Sequence, residues 1–188
     1  MATSTPTVEQ QLRTIGELAN SESAERYIRF AEEVLGVRLA EQQRTILRSL
    51  AENKRTVIMS GNGPGKSYGV AIAKLAFLVC NPLSTVMGTS GSYSQYTDAV
   101  WRPLKALYKD HIMPLEPSFN DPNDSGQPSI ELEDDWFAKV VSPRDPGDLE
   151  GRHGPAVLVV IEEADKKYIT EEHFDSARSS VTDADDRM

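Results

Sequence analysis

RTVIMSGNGPGKS, residues 55–67, joins a short apolar run to a glycine cluster and then to Gly-Lys-Ser. The run at 55–60 is predicted to be a short buried strand. From Lys66 to about Val79 the apolar residues recur at helical spacing, and Asn81 and Pro82 end the helix. A strand, a glycine-rich loop, Gly-Lys-Ser and a helix make a phosphate-binding arrangement. The glycines let successive backbone N–H groups turn onto phosphate oxygens, and the helix N-terminus adds free donors and partial positive charge. Ser60, Gly61, Asn62, Gly63, Pro64, Gly65, Lys66 and Ser67 are therefore the candidate nucleotide-binding residues. Lys66 is placed to reach the β- and γ-phosphates, and the Ser67 hydroxyl to ligate Mg²⁺. One departure stands out. The usual first glycine of GxxxxGK[ST] is Ser60 here, and Gly61 comes one residue late, which still leaves three glycines for the curl. The competing reading is a Gly/Pro turn that happens to contain Lys-Ser.

The second signal lies downstream. AVLVVI at 156–161 is the most strand-like run in the chain, and Glu162-Glu163 follow it directly. Unbroken apolar character implies burial on both faces, as in a parallel sheet. Carboxylates delivered at the C-terminal end of such a strand sit where open α/β sheets bind ligands. The first, Glu162, is the candidate Mg²⁺-shell residue, in a place where Asp is usual. The second, Glu163, is the candidate base that orients or deprotonates an attacking water. A solvated acidic turn after a core strand is the alternative.

Around these two signals the pattern alternates. Residues 1–20 are expected to form a loose polar arm, with helices over 22–35 and 40–52. A strand is expected at 84–88, and a helix from Ser92 kinked at Pro103. Residues 111–129, with Pro114, Pro117, Pro122 and Pro128, read as a long surface loop. Short strands follow near 130–133 and 136–141, and a last helix lies beyond Glu162. Alternation of this kind predicts an α/β fold with a mainly parallel β-sheet and helices on both faces. With the phosphate loop, that is the P-loop NTPase arrangement, expected over 37–188, with 1–36 as an N-terminal arm and helix.

Composition narrows the class. The chain has 188 residues, 20 Lys+Arg against 29 Asp+Glu, a formal net charge of −9 and 39% hydrophobic residues. That supports one real core and argues against wholesale disorder. No apolar run reaches the roughly 18 residues of a membrane span, and the opening segment does not read as a secretory leader. The single cysteine, Cys80, excludes a disulfide scaffold and fits a cytoplasmic protein. The acidic balance argues against a simple basic-patch DNA binder. It leaves room for an enzyme that confines its basic residues to one face. The histidines His111, His153 and His173 have no metal-ligand spacing.

Several segments, in order, resemble the N-terminal ATPase domain of a large terminase subunit, the DNA-packaging motor of tailed viruses. They are Leu39–Leu47 (LAEQQRTIL), Arg55–Ser67, Thr89–Leu107 (TSGSYSQYTDAVWRPLKAL) and Gly151–Asp165 (GRHGPAVLVVIEEAD). Together they span about residues 37–180. In this resemblance Gln43 matches the glutamine that reads the adenine edge. The resemblance implies hydrolysis of ATP with Mg²⁺, coupled to moving double-stranded DNA into a preformed capsid. It also implies a homo-oligomeric ring working with a portal protein and a small terminase subunit in the host cytoplasm. The family carries a coupling motif and a C-terminal nuclease domain beyond the acidic strand. The expectation here is an ATPase domain cut short at its C-terminal end, with no nuclease domain. Arg144 and Arg152, in the loop before the acidic strand, are candidates for an arginine finger reaching a neighbour's γ-phosphate; ordinary solvated arginine is the alternative for each. Two other functions stay open: another P-loop translocase of the helicase kind, and a nucleotide-binding module without turnover.

Overall fold

The computed structural model describes residues 7–59, 61, 65–111, 115, 117–120, 127–142, 144–150 and 154–188. It is an α/β fold around one open five-stranded sheet. The strands are β1 (Thr85–Ser90), β2 (Ser118–Asn120), β3 (Ser129–Glu133), β4 (Trp136–Val140) and β5 (Val157–Glu162), in the spatial order β2-β3-β4-β1-β5. The sheet is mixed, which corrects the expectation of a mainly parallel one. β1 is parallel to both β4 and β5, but β2–β3 and β3–β4 are antiparallel. The reason is connection length: the tight turn at Asp134-Asp135 can only return the chain antiparallel, whereas parallel neighbours need long crossovers.

Helices cover both faces. On one side lie α1 (Val8–Ala19), α2 (Arg26–Arg29) running on into a π-helical turn at Phe30–Val34, α3 (Glu41–Glu52) and α4 (Lys66–Cys80). The same side holds α5 (Tyr93–Tyr96), which passes through a π-helical turn at Thr97–Trp101 into α6 (Arg102–His111). Helix α4 is the centre of this layer. Every residue from Gly69 to Cys80 is buried, in a core shared with Tyr27, Phe30, Trp101, Leu104 and Leu158. On the other side a smaller core joins Met87, Val157 and Val159 to Ala177 of α7 (Glu171–Ser180) and to Leu149 of a 3₁₀ turn. Strand residues therefore alternate: Leu158 and Val160 face α4, while Val157 and Val159 face α7.

Three sequence expectations change. The polar arm is helical over Val8–Ala19. Thr7 caps α1 reciprocally with Gln10, and Gln11 Nε2 donates to the Val34 carbonyl at 3.1 Å while Leu18 is fully buried. The expected loop at 111–129 contains β2, which pairs with β3 through Phe119 and Ile130. The expected strand before the glycine cluster is not a strand over 55–59. Its side chains are open to solvent, with Val57 86% and Met59 92% exposed. Among the described residues no helix is long and apolar enough to cross a membrane.

Candidate functional site

Gly65 ends the glycine cluster with φ +116°, a left-handed backbone that L side chains rarely adopt. From there α4 starts at once. The Gly65 carbonyl accepts from the Gly69 amide at 2.8 Å and from Gln43 Nε2 at 3.1 Å. Gln43 spends its other amide atom within its own helix, where Oε1 accepts from the Ala40 amide at 2.9 Å. It thus ties the start of α3 to the start of α4. Lys66 and Ser67 are the first two residues of α4, at the end where its unpaired amides and partial positive charge lie.

At the facing end of the sheet, Glu162 closes β5 in register with Ser90, the last residue of β1. Glu163 follows with φ +50°, and its carbonyl accepts from the Lys166 amide at 2.9 Å. This reversal turns the chain away from the sheet and leaves the Glu163 side chain exposed. Gly91 makes room for it, since a Cβ there would lie 2.6 Å from the Lys166 Cβ. The two carboxylates are therefore unlike. Glu162 follows the alternation of Leu158 and Val160 toward α4, and its Oε1 is buried without a hydrogen-bond partner among the described residues. Burial pushes the Glu162 carboxyl up to about 7; Lys74 and Lys66 pull it down, and the like charge of Glu163 pushes it further up.

Lys66, Ser67, Glu162 and Glu163 line one cavity of about 1250 Å³, together with Arg55 and Arg178. The sequence reading separated these groups by almost a hundred residues, and the fold brings them together. Among the remaining candidates, Gly61 also lines the cavity and Gln43 stands behind Gly65. Arg144 is exposed, in the turn before the 3₁₀ segment, and is not part of the cavity wall. Ser60, Asn62, Gly63, Pro64 and Arg152 lie outside the described residues.

Among the described residues no group of three or more His, Cys, Asp or Glu side chains forms a metal cage. A Mg²⁺ bound mainly through substrate phosphates does not need one. The Glu162 carboxylate oxygen, buried without a partner among the described residues and in one cavity with a serine hydroxyl, fits that chemistry.

Sequence reasoning missed Lys74 and Arg178. Lys74 is 1% exposed, its ammonium is hydrogen-bonded to the Tyr96 hydroxyl, and it stands 4.6 Å from the Tyr96 ring centroid. Burial pushes its ammonium down to about 7, against the pull of Glu162. A cation inside the otherwise apolar VAIAKLAFLVC run was the available signal. Arg178, on α7, carried no signal in its local sequence.

In comparisons with known proteins, no family model matches the chain and no curated protein matches it.

Proposed function

We propose that this chain binds ATP with Mg²⁺ and hydrolyses it, as the ATPase of a DNA-packaging motor of the large terminase kind. One observation carries the nucleotide reading: a single cavity collects the first-turn Lys66 and Ser67 of α4 and the carboxylates that end β5. The packaging role, with double-stranded DNA, a portal, a small subunit and a ring of copies, rests on the ordered sequence resemblance over about residues 37–180.

In this reading the α4 N-terminus and Lys66 hold the β- and γ-phosphates. The Ser67 hydroxyl and the Glu162 carboxylate would hold Mg²⁺, which supplies charge neutralisation for the β- and γ-oxygens. Glu163, exposed at the cavity wall, takes the proton of the attacking water. The water oxygen bonds to the γ-phosphorus as the bond to the β–γ bridging oxygen breaks, giving ADP and phosphate. Gln43 holds the Gly65 carbonyl and so fixes the pitch of the loop into α4.

Calorimetric titration of Mg-ATP into the parent and into Lys66→Ala tests the reading. Lys66→Ala is expected to lose at least tenfold in affinity with an unchanged circular dichroism spectrum. Equal affinity in the two proteins would remove the site assignment.

A further inference from the structure

We propose that the space between β5 and residues 57–59 is an acceptor slot for one extended, apolar peptide strand, running parallel to β5 in the line that Arg187 and Met188 begin. The proposal does not depend on the nucleotide reading and needs no ligand at Lys66 or Glu162.

Hydrogen bonds at one end of the slot fix its width. Arg187 donates its amide to the Val157 carbonyl and accepts from the Val159 amide, the pattern of a parallel pair with Leu158. Met188 turns its backbone groups the opposite way. It donates to the Lys54 carbonyl and accepts from the Thr56 amide, the same parallel pattern centred on Arg55. One stretch of backbone is therefore bonded to both walls at once. The walls stand two strand spacings apart there, about 9–10 Å.

Past that point both walls continue, and both line the one cavity. β5 turns its even-numbered backbone groups to β1, as the Ala156 carbonyl does in accepting from the Thr85 amide at 3.0 Å. The Val159 carbonyl and the Ile161 amide and carbonyl thus face the slot. On the other wall, Val57, Ile58 and Met59 are 86%, 37% and 92% exposed, the alternation of an extended chain. The alternation that turns the Thr56 amide to Met188 turns the Ile58 amide the same way. Among the described residues these groups of Val159, Ile161 and Ile58 make no backbone hydrogen bond across the slot. Val159 is fully buried, where an unmet carbonyl is costly. An added strand meets such groups through its own main chain.

The slot also sets the character of its occupant. Ile46 and Leu50 of α3 and Val70 of α4 line the cavity on one side, and Phe174 of α7 lines it on the other. A strand covered by helices on both faces is apolar throughout rather than alternating. The occupant is thus a β-prone, apolar segment. Its main chain would fix Val57, Ile58 and Met59, which lead into the glycine cluster.

The test joins Val-Ile-Val-Ile to Met188 in the whole chain, with Pro-Ile-Pro-Ile as the control, and follows amide exchange at Ile58 and Ile161 by NMR. The prolines keep the segment apolar but remove the donors aimed at β5. With Val-Ile-Val-Ile, exchange at both amides is expected to slow at least tenfold; with the proline segment it stays within threefold of the parent. Unchanged exchange with Val-Ile-Val-Ile overturns the proposal. Equal slowing by the two segments also overturns it, since that marks apolar collapse rather than a strand. Slowing that grows with protein concentration overturns it too, because it marks edge pairing between two copies. Should the joined chain aggregate, the parent is titrated with the free peptide Val-Ile-Val-Ile-Lys-Lys. Saturable slowing at both amides then supports the slot, and its absence overturns it.

Discussion

Arg187 pairs with Leu158 in the parallel sense. Its amide donates to the Val157 carbonyl at 2.7 Å, and its carbonyl accepts from the Val159 amide at 2.9 Å. On the other side of the same stretch, the Met188 amide donates to the Lys54 carbonyl and the Thr56 amide to the Met188 carbonyl, each at 2.9 Å. Arg187 and Met188 therefore lie between β5 and the segment that leads into the glycine cluster. They hold 54–56 in place but keep 57–59 from reaching the edge of β5. An apolar, β-prone run needs a hydrogen-bonding edge to become a strand. Without one, Val57, Ile58 and Met59 form no strand and line the same cavity as β5.

Asp186 anchors that wedge. It is 1% exposed, and its carboxylate accepts from the Val157 amide at 2.9 Å, the Thr182 amide at 2.8 Å and the Asp183 amide at 2.7 Å. Asp186→Ala would leave donors buried and unmet, at a cost of about 2–4 kcal/mol. Urea unfolding checks this, and a loss below about 0.5 kcal/mol would show that the turn is held by other contacts.

Gly65→Ala places a Cβ on a backbone with φ +116°, 3.4 Å from Gln43 Nε2. The strain is worth about 1–2 kcal/mol. Relief by rotating the peptide would re-aim the Gly65 carbonyl away from Gln43. Both a lowered urea midpoint and weaker ATP binding are expected. A variant as stable as the parent would mean that the left-handed turn is not required.

Glu163→Gln separates an enzyme from a passive nucleotide binder. Glu163 is exposed on the wall of the cavity, unlike its buried neighbour, so the change costs little stability. Loss of a general base lowers turnover by roughly 10²–10⁴-fold. Phosphate release should fall in that range while ATP affinity stays within a few-fold. Identical phosphate release by variant and parent would remove Glu163 from the chemistry.

The sequence announced the cavity's chemical groups better than it announced the sheet. Gly65-Lys66-Ser67 at the start of α4 and Glu162-Glu163 at the end of β5 were legible because local pattern dictates both places. The direction of β3 was not, because antiparallel pairing depends on which neighbour each strand meets. The segment at 55–59 misled for a related reason: its composition suits a strand, but its environment is set by residues at 187–188. The capping box at Thr7 and Gln10 was readable as TVEQ and was passed over within a polar stretch. Lys74 was hidden by its setting, since helical spacing marks a face as buried without showing which charge waits there.

Glu162 also gives the site a signature in pH. Its carboxyl is pushed by burial up to about 7, from an ordinary value of 4.5. Between those values the folded chain keeps a proton that the unfolded chain has released. Folding stability therefore falls as pH rises through this window, and the contribution is fully present only below about 4.5. Glu162→Gln has no such proton to lose. In buffer with a chelator, the stability of the variant relative to the parent should rise by on the order of 1–3 kcal/mol between pH 4.5 and pH 7. Denaturant midpoints measured at half-unit steps of pH check it. Parallel curves for the two proteins would place the Glu162 carboxylate in water rather than under α4.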